Sequence, residues 1–173
     1  MFYTRIGAAK TRVFKRLVPG VIKTNMPLSL IVHGGAWAIP DNEVDEHKAG
    51  CSHALDVGWG VLEQGGSALD AVEAAVRTLE DTPIFDAGIG SVLNQDGVVE
   101  LDAAIMDGET LRSGAVAAVQ RIRNPISLAR RVLESHVVLL VGTGAERFAE
   151  QVDIPFCNPS ELVVERERQR WEM

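Results

Sequence analysis

Three observations predict a layered α/β fold around a single core. The chain has 173 residues, 46% of them apolar, which suits one domain with one sizeable core. Short apolar runs of strand length interchange with stretches whose apolar residues recur at helical spacing. Their order is strand, two helices, a block of strands, helix, strand, helix, helix, and helices segregated from a strand block suit layered packing. A net charge of −7 argues against a general nucleic-acid binder. No apolar run reaches the length of a bilayer span. Cys51 and Cys157 form neither a disulfide framework nor a metal-ligand spacing, and fit a reducing, cytoplasmic setting.

The first 25 residues carry six cations and no acid, against 11 cations and 24 acids in the rest. Two readings stand for this basic start: an organelle transit segment, or sequence upstream of a true beginning at Met26. Residues 1–26 are therefore set apart from the folded part, 27–173. Residues 28–32, LSLIV, read as a buried strand that runs into His33-Gly34-Gly35. His33 reads as structural and Trp37 as a packing residue. Residues 47–64 place Ala54, Leu55, Gly58, Val61 and Leu62 at helical spacing and stop at Gly65-Gly66. Ser67, with Asp70 three residues on, opens the next helix through a capping box. Its predicted buried face is Leu69, Val72, Ala75, Val76 and Leu79.

Thr82-Pro83 ends that helix, because proline disfavours helical backbone in the residue before it. A compact loop follows, FDAGIG at 85–90. A hairpin signal comes next: residues 91–93, a turn at Asn94-Gln95-Asp96-Gly97, and a strand from Val98 through Glu100 and Asp102 to Asp107-Gly108. Residues 114–122 predict a small-residue strand, and Pro125 opens a helix whose Arg130 and Arg131 face water. Residues 137–141 predict a buried strand. It leads into Gly142-Thr143-Gly144 and a helix over 145–151, with Thr143 as its cap. Gly-Thr-Gly lacks the lysine and the length of a nucleotide-binding loop. From Pro159 the charges alternate, which predicts a solvated helix that frays.

Four stretches in unbroken order carry a resemblance: LIVHGGAWAIP at 30–40, LEQGGSALDAVEAAVRTLED at 62–81, LEDTPIFDAGIGSVLNQDGVVELDAAIMDG at 79–108, and SGAVAAVQRIRNPISLARRVLE at 113–134. Together they resemble the plant-type asparaginase and isoaspartyl peptidase family of N-terminal-nucleophile hydrolases. The resemblance implies an αββα sandwich, of which this chain supplies the first half. It also implies autocatalytic cleavage to free a threonine in a Thr-Val-Gly sequence, which this chain lacks. Residues 27–173 would then be the α-subunit portion. Its partner would be a β-subunit half bearing the threonine, joined as an (αβ)2 assembly. The implied activity is hydrolysis of L-asparagine and β-aspartyl (isoaspartyl) dipeptides, with this chain inactive alone. A glycosylasparaginase-type relative is the near competitor, and a non-catalytic binding or regulatory domain is the reading from a different class.

No catalytic residue is assigned to this half. The resemblance makes Gly34 and Gly35 a backbone wall of the active site, where a Cβ would block close approach. It places Asp86 beside the nucleophile, at a position where the family usually carries asparagine. Asparagine both donates and accepts hydrogen bonds, whereas an ionised aspartate only accepts. Asp86 can equally serve by accepting backbone N–H bonds within its loop. No organic cofactor is implied. A structural Na⁺ is, held by the backbone carbonyls of Leu79, Glu80, Thr82, Phe85, Ala87 and Ile89, because neutral oxygens suit a singly charged hard ion.

Overall fold

Small residues bring the first two helices together. Helix α1, Val44–Glu63, begins one turn before the position predicted, and Asp45 and Glu46 favour its N-terminus. It buries Gly50, Ala54 and Gly58. A Cβ on Gly58 would stand 2.8 Å from the Ala71 carbonyl oxygen, so α1 lies close against α2, Ala68–Glu80. The Ser67 capping box forms as predicted: the Asp70 N–H donates to Ser67 Oγ and the Ser67 N–H to Asp70 Oδ2, both at 3.1 Å. Hydrogen bonding from the Ser67 side chain and from its backbone N–H holds the Asp70 carboxyl below the usual aspartate range. Helix α2 buries Ala71 and Ala75, while Val72 is exposed, so the contact face is turned from the predicted one.

The computed structural model describes residues 28–173. The basic extension over 1–26 lies outside the described residues. A mixed α/β fold with one three-stranded sheet is present among them. Strand β1, Leu101–Met106, pairs antiparallel with β2, Ser113–Val119, and β2 pairs parallel with the short β3, Leu139–Val141. The β1–β2 register shifts between Leu101 and Ala103. At that bulge Asp102 Oδ1 accepts the Ala118 N–H at 2.8 Å, and Ala118 takes a left-handed φ of 52°.

Helix α3, Pro125–Glu134, starts at proline as predicted and covers one face of the sheet with Ile126, Leu128, Ala129, Val132 and Leu133. They meet Val99, Leu101, Ile105, Val116, Val119 and Ile122 in the core. Gly114 leaves no room for a Cβ against the α3 backbone at Ala129 and Leu133. Helix α4, Gly142–Gln151, adds its buried Ala145 and Ala149 to the core. Its Glu146 accepts the Gln120 and Arg121 N–H groups at 3.0 and 3.1 Å. A 3₁₀ turn, Pro159–Glu161, and helix α5, Glu165–Trp171, complete the chain.

Several expectations are corrected. Residues 28–32 form no strand: no neighbouring strand lies beside them among the described residues, and Ile31 is 91% exposed. The turn at 94–97 closes, with the Asn94 N–H on the Val98 carbonyl at 2.9 Å, but 91–93 and 98–100 form no ladder. Asp86 takes the Val92 N–H and the Asn94 side chain takes that of Val98, so those donors are lost to strand pairing. Strand β3 is not buried: Leu139 and Val141 are each 53% exposed, because nothing among the described residues covers that side of the sheet. Thr143 caps nothing, since α4 begins at Gly142 with Val141 before it. Arg131 is half exposed, but Arg130 is drawn in between Asp70 and Glu134. The C-terminal helix is docked rather than frayed, as its contacts below show.

Candidate active site

Two stretches about fifty residues apart in sequence, 33–37 and 84–87, meet at an open cleft of about 440 Å³. The meeting depends on Phe85. Its ring is buried, and its Cε1 lies 2.7 Å from where a Cβ on Gly34 would stand, with Cys51 Sγ at 2.5 Å. A Cβ on Gly50 would lie 2.6 Å from Cε2 of the same ring. Gly34 and Gly50 therefore make the space that lets the loop seat against α1. Gly35 needs glycine for another reason, a φ of 97°, and nothing among the described residues lies within 4 Å of its Cβ position. The His33 ring is exposed, and its Nδ1 accepts the Gly35 N–H at 3.1 Å, the structural part expected of it. Trp37 packs on the His47 ring, 5.9 Å between centroids.

On the opposite wall, Asp86 is exposed and its Oδ1 accepts the Val92 N–H at 2.9 Å. This bond ties the two ends of the loop together. Burial pushes the Cys51 thiol up, so the sulfur beside Gly34 stays protonated and is no ready nucleophile. The cleft thus offers a glycine backbone, aromatic edges and the exposed Asp86 side chain.

Beneath the cleft, the loop folds back on the end of α2. The Glu80 carbonyl accepts the Ile89 N–H at 2.9 Å, the Leu79 carbonyl that of Thr82 at 3.1 Å, and the Thr82 carbonyl that of Phe85 at 3.1 Å. Gly88 and Gly90, with φ of 60° and 95°, pass too close to the Glu80 and Pro83 carbonyls to carry a side chain. Leu79, Glu80, Thr82, Phe85, Ala87 and Ile89 therefore belong to one tight turn of backbone. A carbonyl that accepts one N–H keeps a second lone pair. No group of three or more acidic, histidine or cysteine side chains suited to a metal occurs among the described residues.

Sequence reasoning assigned Glu80 only a carbonyl, but its side chain is 3% exposed under the loop. Oε1 accepts the Ile126 N–H at 3.0 Å, while Oε2 has no partner among the described residues. Burial raises its pKa to about 8, so the neutral acid is the favoured form near neutrality. The signal was faint: an acid at a helix end, where a polar residue is the ordinary expectation. Arg166, Glu167 and Arg170 of α5 also line the cleft, and no sequence pattern distinguished them from solvated charges.

A family model described as asparaginase matches residues 26–173, and the chain belongs to that family. It is 51% identical over 143 residues to an isoaspartyl peptidase/L-asparaginase of Xenopus laevis, covering 82% of this chain and 46% of that relative. It is 50% identical over 146 residues to a plant-type L-asparaginase of Pyrococcus horikoshii, covering 83% and 47%. The isoaspartyl peptidase/L-asparaginase of Homo sapiens is 48% identical over 147 residues, covering 84% and 48%. The chain spans about half the length of the curated relatives it matches.

Proposed function

We propose that this chain is the α-subunit portion of an amidohydrolase that cleaves L-asparagine and isoaspartyl dipeptides. The observation that carries the reading is the convergence of Gly34-Gly35 and Asp86 on one cleft, in a chain whose relatives bear those activities in their names. The nucleophile would be a threonine at the start of a second half. Its hydroxyl oxygen attacks the amide carbonyl while its own amine takes the proton. Ammonia or an amino acid leaves, and water then hydrolyses the aspartyl ester. In that scheme this half supplies the cleft walls and the loop that supports the threonine. The carbonyls from Leu79 to Ile89 would hold a Na⁺, which would stiffen the loop.

The uncovered side of the sheet supports an incomplete αββα sandwich. Met106, Leu139 and Val141 are exposed there, and Ala104, Ala115 and Leu139 lie in register across the three strands. A second sheet in the other half would cover them, and two such pairs would form an (αβ)2 enzyme. Two unpaired cysteines suit the cytosol. Among the described residues no helix is long and apolar enough to cross a membrane.

The test mixes the 173-residue chain with a second half that opens on Thr-Val-Gly, and follows ammonia release from asparagine and amino-acid release from an isoaspartyl dipeptide. Hydrolysis by the pair, and none by the chain alone, is expected. A stable pair without hydrolysis of either substrate returns the chain to a non-catalytic binding role.

A further inference from the structure

The C-terminal segment meets the cleft loop at three separate points. The Gly90 N–H donates to the Leu162 carbonyl at 2.9 Å, Arg166 Nη2 donates to the Pro83 carbonyl at 3.0 Å, and the Trp171 indole N–H donates to the Asn94 carbonyl at 2.9 Å. The Trp171 ring also lies against Gly97, 3.0 Å from where a Cβ would stand. One buried carboxylate organises the rest. Glu167 accepts Arg166 Nε at 2.6 Å and Arg170 Nη1 at 2.7 Å. Arg170 in turn lies 5.0 Å over the Trp37 ring and 3.8 Å from Glu43 at the start of α1. Two arginines on one acid therefore reach opposite walls, Arg166 the loop and Arg170 the segment after Gly34-Gly35.

We propose that Arg166, Glu167 and Arg170 form a clamp that fixes the two walls of the cleft relative to one another, with Arg166 and Arg170 as positioning residues. Loss of either arginine leaves the buried carboxylate held by the other alone, so each arginine braces the other's grip on Glu167. Helix α5 has only seven residues, too few to be stable alone. Its order depends on these contacts, and it can detach while the sheet and α3 stay folded. The clamp is a property of this chain alone and stands apart from the activity proposed above.

Hydrogen exchange on the 173-residue chain tests it. In Arg166→Ala, amides over 85–92 should exchange about tenfold faster, as expected for losing a hydrogen bond from a charged donor. Amides of β1, β2 and α3 should keep their rates. Arg166→Lys keeps a cation that can reach Glu167 and Pro83, and should restore much of the protection. Trp171→Phe keeps the ring but not the donor, and should loosen 94–98 alone. Unchanged exchange over 85–92 in Arg166→Ala overturns the clamp, as does an equal acceleration in β1, β2 and α3. If Arg166→Ala fails to fold, Arg170→Ala takes its place, and unchanged exchange over 85–92 there overturns the clamp.

Discussion

The Asp86 carboxylate accepts the Val92 N–H at 2.9 Å across the cleft loop, so an exposed residue of the cleft wall is also a bracket for its own loop. An asparagine there keeps the acceptor oxygen and adds a donor. Asp86→Asn should leave stability within about 0.5 kcal/mol, whereas Asp86→Ala should lose about 1 kcal/mol with the acceptor. In a complete enzyme Asp86→Asn should also raise the rate near neutral pH, since a negative neighbour favours the protonated form of a threonine amine. Thermal melts and a pH–rate profile separate the two effects.

Gly34→Ala should be costly although it adds one methyl group. The new Cβ meets Phe85 and Cys51, and overpacking of this kind costs about 1–3 kcal/mol. Pairing it with Phe85→Leu should recover part of the loss. Urea titrations of both variants measure this; equal stability of Gly34→Ala and the parent would show that the ring moves freely.

Glu80 predicts a contrast between two substitutions. Glu80→Ala leaves the Ile126 N–H without its acceptor, at about 1–3 kcal/mol. Glu80→Gln keeps the acceptor and should retain most of the stability at pH 7. Chemical denaturation of the two variants side by side decides it, and equal losses would count against the neutral-acid reading.

Helix α2 should show acid sensitivity at its cap. Asp70 is held below the usual aspartate range by Ser67, so its contribution is full above that range and is lost as pH falls through the lowered value. Ser67→Ala should cost about 1 kcal/mol at pH 7. The difference from the parent should shrink once the pH falls below the lowered value, as melts between pH 7 and pH 2 would record.

Local signals in the sequence proved dependable. Ser67 with Asp70, Pro125 and the Asn94–Gly97 turn each place their own neighbours, so a few residues contain the whole cause. The resemblance pointed to Gly34 and Gly35 as lining residues, and both line the cleft, but the reason for Gly34 was not legible. It is the Phe85 ring, which lies far along the chain. The run at 137–141 looked buried because apolarity records a tendency to be covered, and the covering surface is absent from the described residues. The α5 contacts were hidden for the opposite reason. ERERQRW has the composition of a solvated helix, and only the fold brings Glu167 inside and sets Trp171 against Gly97. Glu80 likewise reads as a surface acid until the loop closes over it.

The open face of the sheet carries a consequence for supply. Met106, Leu139 and Val141 present apolar surface on one side of a thin three-stranded sheet, and β3 leaves its outer edge unpaired among the described residues. A copy with that face bare meets another at the same patch, and association of this kind grows with concentration. The yield of the isolated chain should therefore fall as its concentration rises, whatever its intrinsic stability.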